Sequence, residues 1–381
     1  MSSIELQGRG EAWDIKVSHK RKVNVSGLRY LRPAETDLIK QLPLDIPAKC
    51  LALYSADAPL IPAVLRALSP ETQIDVFTTE LHDLRVAGKK FPEELKINVT
   101  CAADFVPESN DYGLICFAPQ KSFDRMLFFD VLERLNSVLP AGIPVLMAFP
   151  VERLKDFQKK AEQELKNLQL VNKSRANSVY SGLTRGKPKK KGWTAREAKV
   201  AVSTMNAEFT MITRPGVFSH GRADVGGVAL SEVVEVEPGQ DILDLGCGAG
   251  LVGLSLAQRQ RDIQADHQGS VDLVDSNTRA IECCKKNIEI NEFKNCTAIG
   301  ADVYETDKTY DLIVGNPPYF AGQRIGEYFI RTAEKYLRAQ GSLAIVSKHG
   351  AQLAEVADEL GFGTKLIKRK GYDISICKRY S

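Results

Sequence analysis

Apolar residues along this chain fall in short runs, separated by stretches in which they recur every three or four positions. From residue 46 the runs at 50–54, 74–77, 114–117 and 145–148 read as strands buried on both faces. Between them, 60–68 and 125–138 read as helices, the latter with Leu127, Leu132 and Leu135 spaced for one face. Residues 155–168 read as a charged, largely exposed helix. Strand alternating with helix predicts a doubly wound parallel sheet. Gly, Pro and Lys then dominate 184–193, the composition of a boundary between domains. After it the alternation resumes. Strand 241–245, helix 251–258 and strand 271–274, closed by Asp275, are followed by helix 278–290. That helix shows Ile281, Cys284 and Ile288 on one face, with Ser276 or Asn277 as its cap. Strands at 312–314 and 342–346 come next, and 364–368 with 374–378 form an antiparallel hairpin through Gly371. Residues 1–41 are polar and mixed, with Trp13 and Tyr30 as anchors, and predict no element.

The two α/β stretches match each other. Ala103-Asp104 corresponds to Ala301-Asp302, Tyr112-x-Leu114-Ile115 to Tyr310-x-Leu312-Ile313, and Pro119 to Pro317. A constant separation of about 198 residues is too long for a solenoid and indicates a duplicated domain. At that separation Ala118 stands where Asn316 stands, and Ser55-Ala56-Asp57-Ala58-Pro59 replaces the later glycines. The expected architecture is therefore α/β, with two tandem Rossmann-like domains. Each holds a doubly wound, mainly parallel sheet, and the second ends in the hairpin. The expected divisions are 1–185, a basic linker at 186–195, and 196–381.

Composition narrows the class. A chain of 381 residues, 44% hydrophobic and 26% charged, is long enough for two domains and ordinary for a globular protein. No apolar run is long enough to cross a bilayer, and residues 1–10 lack the core of a signal peptide. Eight cysteines without paired spacing read as free thiols in a reducing cytoplasm, and five scattered histidines predict no metal. The net charge of +3 is too small to name a partner. Basic runs at 185–191, 365–370 and 378–379 read first as solvated surface and second as a phosphate footprint.

Candidate chemistry gathers in the second copy. The strand at 312–314 stops at Gly315 and is followed by Asn316-Pro317-Pro318-Tyr319-Phe320. Prolines end a strand and stiffen the loop after it, and the carboxyl end of a parallel strand is where open α/β sheets bind ligands. The Asn316 amide and the Pro317 carbonyl offer two acceptors for an exocyclic amine, and Tyr319 offers a flat face for the ring carrying it. Upstream, Asp244-Leu245-Gly246-Cys247-Gly248-Ala249-Gly250 leads from strand to helix. Its glycines permit close approach of backbone to a ligand. Gly248-x-Gly250-x-x-Gly253 satisfies the dinucleotide pattern, but in a late register. Asp244 would repel a pyrophosphate and suits a ligand bearing an amino group. Asp275 is placed to accept from ribose hydroxyls. Asp302, at the end of the expected third strand, can bind an adenine amino group.

Together these residues resemble the class I S-adenosylmethionine-dependent methyltransferases that act on planar amines. Arg214-Pro215-Gly216-Val217-Phe218-Ser219 followed by Asp224-Val225-Gly226 is similar to the lead-in of the bacterial ribosomal RNA guanine-N2 methyltransferases, the small-subunit methyltransferase C family and its large-subunit relative. Those proteins also carry a degenerate copy in front. The resemblance implies S-adenosylmethionine as cofactor, held by Asp244, Gly246, Cys247, Gly248, Gly250, Asp275, Ser276, Asp302 and Asn316. It implies Asn316, Pro317 and Tyr319 as the catalytic group, and Tyr319, Phe320 and Phe218 as substrate contacts. It implies ribosomal RNA or a ribosomal subunit as partner. Other readings keep the donor and change the acceptor to adenine N6 or a release-factor glutamine. A nicotinamide oxidoreductase, or a non-catalytic RNA-binding assembly factor, belongs to a different class.

Overall fold

The computed structural model describes residues 2–7, 11–17, 21–28, 30–54, 60–119, 123–186, 196–205, 207–267, 269–317, 323–348 and 350–379. The chain separates into two units, Met1–Arg196 and Glu197–Ser381. The opening residues, for which the sequence predicts no element, form a three-stranded sheet of β1 (Ser2–Glu5), β2 (Glu11–Lys16) and β3 (Lys22–Leu28), in the order β1-β3-β2. Ile15, Val23 and Val25 alternate with polar residues and are buried, the period-two signature of a strand packed on one face. The Trp13 indole donates to the Leu28 carbonyl at 3.2 Å.

The first α/β repeat follows as α1 (Pro33–Ile39), β4 (Lys49–Leu53), α2 (Leu60–Leu68), β5 (Gln73–Thr78), α3 (Leu81–Lys90), β6 (Ile97–Cys101) and β7 (Leu114–Phe117). It continues through α4 (Arg125–Val138), β8 (Pro144–Pro150), α5 (Leu154–Glu164), β9 (Leu165–Lys173) and β10 (Asn177–Thr184). The expected helix at 155–168 stops at Glu164, where the chain turns into β9. The polar residues of β9 fit a helix equally well, but β10 offers an edge with which they pair antiparallel. The sheet runs β6-β5-β4-β7-β8-β10-β9, five parallel strands and an antiparallel pair.

The second unit opens with the hairpin β11 (Ala198–Ser203) and β12 (Glu208–Thr213). Then come α6 (Val225–Val233), β13 (Ile242–Leu245), α7 (Leu251–Ile263), β14 (Val271–Asp275), α8 (Thr278–Ile290), β15 (Cys296–Gly300) and β16 (Tyr310–Gly315). The chain closes with α9 (Gln323–Tyr336), β17 (Leu337–Ser347), α10 (Gly350–Glu359), β18 (Phe362–Arg369) and β19 (Tyr372–Arg379). Its sheet runs β15-β14-β13-β16-β17-β19-β18. This is the same order as in the first unit, with the third strand at one edge and the last two crossed, which is the architecture expected of a duplicated domain. Strand register aligns the copies residue by residue. Cys50 faces Leu114 as Ile242 faces Leu312, and Leu53 faces Phe117 as Leu245 faces Gly315. Tyr54 therefore stands where Gly246 stands, and Ala118 where Asn316 stands.

A buried cluster is repeated as well. The Tyr112 hydroxyl donates to Asp75 at 2.6 Å and the Tyr310 hydroxyl to Asp272 at 2.7 Å. Lys49 completes the first cluster at 3.5 Å and Lys308 the second at 2.8 Å, so the cation comes from a different element in each copy. No described helix is long and apolar enough to cross a membrane.

Candidate active site

Strand β13 delivers Asp244 and Leu245 into a turn at 246–250, where Gly246, Gly248 and Gly250 adopt φ of +67°, +55° and +98°. L side chains rarely enter that region, so the turn needs glycine. The space beside each glycine differs. Nothing lies within 4 Å of a Cβ placed on Gly248, whereas one on Gly246 would meet the Phe329 ring at 3.1 Å. Phe329, from α9, also passes so close to Gly315 that a Cβ there would lie 2.4 Å from it. The ring is a floor that Gly246, just after β13, and Gly315, at the end of β16, admit.

Acids flank this turn. Asp244 is 1% exposed, and its Oδ2 accepts from the Gly253 amide at 2.8 Å. Burial pushes its carboxyl up to about 7; the Gly253 N–H opposes the shift and the charge of Asp275 adds to it. Asp275 closes β14 and is half-buried. Its Oδ2 accepts from the Gly248 amide at 2.8 Å and its Oδ1 from the Asn277 amide at 2.8 Å. Burial raises its carboxyl too, against the lowering effect of the backbone N–H groups of Asn277, Gly248 and Ser276. Asn277 is the side chain that caps α8, accepting from the Ala280 amide at 3.0 Å.

Asn316 follows β16, the strand beside β13, and is half-buried. Its Nδ2 donates to Asp224 Oδ2 at 2.8 Å. The same Oδ2 accepts from the Gly227 amide at 2.7 Å, which makes Asp224 the cap of α6. Pro317 is buried directly behind. Pro318, Tyr319 and Phe320 lie outside the described residues.

Between these groups is a cleft of about 440 Å³, measured out to its open mouth. Asp224, Asp244, Gly246, Cys247, Gly248 and Asn316 line it, and Phe218 and Arg222 stand at its wall. Phe218 is 53% exposed, while Cys247 is buried and its thiol is pushed well above the usual range by that burial. Among the described residues the lining does not include Asp275, Ser276, Pro317 or Asp302. Asp275 nonetheless holds the cleft wall through Gly248. Strand β15 ends at Gly300, so Asp302 lies two residues past the strand it was expected to end. Of the basic runs, Arg369 and Lys370 pair with the buried Glu232 at 2.8 and 3.3 Å, which gives them a structural role. Residues 187–191 lie outside the described residues. Among the described residues no group of His, Cys, Asp or Glu is arranged to hold a metal ion.

Sequence reasoning missed the supports. Asn287 on α8 is fully buried. Its Nδ2 donates to the carbonyls of Ala249 at 2.8 Å and Ile212 at 2.9 Å, and its Oδ1 accepts from the Ile212 amide at 2.7 Å. It thereby pins the glycine turn to β12. The buried Arg279 donates to the Pro215 carbonyl at 3.0 Å and Asn277 to that of Gly216 at 3.2 Å, which fixes the lead-in to the cleft. A polar residue beside Cys284 and Ile288 on the apolar face of a helix was the available signal for Asn287.

The sheet order, the glycine turn after the first strand, and the acid closing the second define a class I S-adenosylmethionine-dependent methyltransferase. The open space at Gly248 and the two carboxylates fit that cofactor's need for close backbone approach, an ammonium partner and a hydroxyl acceptor. The chain belongs to the methyltransferase small-domain family. The profile described as "Methyltransferase small domain" matches residues 208–375. The uncharacterised Bacillus subtilis protein YbxB is 33% identical over 213 residues, 52% of this chain and 97% of that protein. Ribosomal RNA small subunit methyltransferase C of Pseudoalteromonas translucida is 24% identical over 290 residues, 75% of this chain and 81% of that one. The structure of T. thermophilus 16S rRNA N2 G1207 methyltransferase, in complex with AdoMet and guanosine, aligns with a TM-score of 0.72 at 20% identity. It covers 92% of this chain and 93% of that one, a likeness of fold that spans both units. The resemblance and the fold class read from the sequence are borne out.

Proposed function

We propose that this chain transfers a methyl group from S-adenosylmethionine to the exocyclic N2 amine of a guanine in small-subunit (16S) ribosomal RNA. The observation that carries the reading is Asn316. Its amide lines the cleft beside the glycine turn, one strand from the residues that suit the donor. The similarity to proteins named as small-subunit methyltransferase C directs the choice of RNA.

In this reading Gly246, Cys247, Gly248 and Gly250 admit the donor's methionine part. Asp244 faces its ammonium, and Asp275, with Ser276, its ribose. Asp302 serves the adenine. When bound, the cofactor would supply a sulfonium methyl; the C–S electron pair would remain on sulfur while the N2 lone pair forms the new bond, and the proton lost from N2 would pass to water. That lone pair is conjugated into the ring. Acceptance of its two N–H bonds by Asn316 Oδ1 and the Pro317 carbonyl pulls the amine toward tetrahedral geometry. Positioning then carries much of the rate. Tyr319, Phe320 and Phe218 stack the extruded base, each stacked ring being worth roughly 1–3 kcal/mol. Residues 196–381 hold this chemistry, 186–195 link, and 1–185 bind RNA or have a structural role.

Tritiated methyl transfer onto unmodified 30S subunits and onto free 16S RNA, with nucleoside mapping, tests the proposal. N2-methylguanosine is expected; label in N6-methyladenosine, or none, overturns it. Asn316→Ala should slow transfer roughly 100- to 1,000-fold and leave calorimetric donor affinity within about threefold.

A further inference from the structure

We infer that Asp224 is a positioning residue for methyl transfer, acting through Asn316 and not only as a helix cap. The inference rests on the role proposed above for Asn316.

A carboxamide has two unlike faces, an oxygen that accepts and an NH2 that donates. Turned by half a rotation it would offer N–H to an incoming amine, which is already a donor, and no productive contact would form. A carboxylate only accepts. Asp224 Oδ2 at 2.8 Å from Asn316 Nδ2 therefore selects one of the two orientations and directs Oδ1 to the other side. The two residues are 92 positions apart in the chain, and both line the cleft.

Asp224 is itself held still. The oxygen that receives Asn316 also receives the Gly227 amide at 2.7 Å, so the start of α6 fixes the carboxylate, and the carboxylate fixes the amide. Capping alone requires only the Gly227 bond, which serine can also accept. The second bond has no capping purpose. It has an electronic consequence, because an amide donating to a carboxylate is polarised and its oxygen becomes a stronger acceptor. That gain is greatest as the amine acquires positive charge, so it acts on the rate and leaves donor binding unaffected.

The test compares Asp224→Ser, Asp224→Asn, Asn316→Ala and the double variant Asp224→Ser/Asn316→Ala in the full chain. Single-turnover methyl transfer at saturating donor and RNA, calorimetric donor affinity and thermal unfolding are measured for each. Serine keeps a capping oxygen but sits one carbon nearer the backbone. It should unfold as the wild type does, bind donor within about threefold, and transfer methyl about 10- to 100-fold more slowly. Asparagine can still accept both N–H groups through one oxygen and should recover much of the rate. The double variant should be no slower than Asn316→Ala, the sign that both act on one step. A wild-type rate for Asp224→Ser while Asn316→Ala is inactive overturns the inference alone, as does a double variant slower by the product of the single losses. An active Asn316→Ala overturns the grip itself, and the inference with it. Should the wild type label another nucleobase amine, the substrate assignment falls, and the same ratios still decide Asp224.

Discussion

Asp244 shows how much one buried side chain can set. It is an acid with almost no exposure, held by a single amide, and burial lifts its carboxyl to about 7. The folded chain thus retains a proton that the unfolded chain releases from the ordinary carboxylate range upward. Its contribution to stability declines as pH rises from that range to about 7. Donor binding has the opposite sign, because an ammonium beside Asp244 favours the ionised form. Calorimetric affinity for S-adenosylmethionine should be roughly tenfold higher at pH 8 than at pH 6. Asp275 is also raised by burial and adds to the slope in the same direction. Asp244→Asn should flatten most of it; an unchanged slope in that variant would remove Asp244 from the ammonium site.

At the scale of elements, the same strand pair is locked in the same way in both units. Tyr310 at the start of β16 and Asp272 in β14 meet in the core, with the Tyr304 hydroxyl 2.6 Å from that of Tyr310. Burial, with the Tyr304 and Asp272 contacts, pushes the Tyr310 phenol far above its usual range, so it donates at every working pH. Tyr310→Phe leaves Asp272 without that donor and Tyr304 without its partner. It should lower stability by about 1–3 kcal/mol in a denaturant titration, with donor affinity unchanged. Tyr112→Phe, which removes the corresponding donor from Asp75 in the first unit, should cost a similar amount. A loss below about 0.5 kcal/mol in both would mean that water replaces the phenol without penalty.

At the scale of the molecule, two units share one topology and differ at the strand ends. Tyr54 keeps a left-handed φ of +55° where Gly246 has +67°, but it carries a ring. That ring packs against Phe77, Phe117 and Phe123, with centroids 5.9, 5.9 and 4.9 Å away. Phe117 itself stands where Gly315 stands. Aromatic bulk thus occupies, in the first unit, the positions where glycines flank the cleft in the second. Calorimetry should find one donor bound per chain, and Asp275→Ala should weaken that single site. A stoichiometry of two would mean that the first unit retains a donor site despite Tyr54.

Much of this was legible from local pattern. The strand at 114–117 and the helices at 60–68, 125–138 and 278–290 have the ends that apolar periodicity and capping residues assign them. The constant separation between Tyr112-x-Leu114 and Tyr310-x-Leu312 anticipated two sheets of one order. The glycine turn and its acids were readable because they are contiguous and each residue type has a backbone or charge reason to be there. The sheet at the N-terminus was missed although its alternation was present, because its strands are short and mixed with charge. Strand β9 was missed because its partner, not its composition, makes it a strand.

The order of amino acids alone determined the class of fold and the composition of the glycine turn, since both depend on spacing within a few residues. Tertiary structure alone decided that Asp224 aims Asn316, that Asn287 pins the glycine turn, and that Tyr54 fills the first copy's counterpart. Each of those depends on groups brought together across tens of residues, and a hydrogen bond or a filled volume at that range leaves no period in the chain.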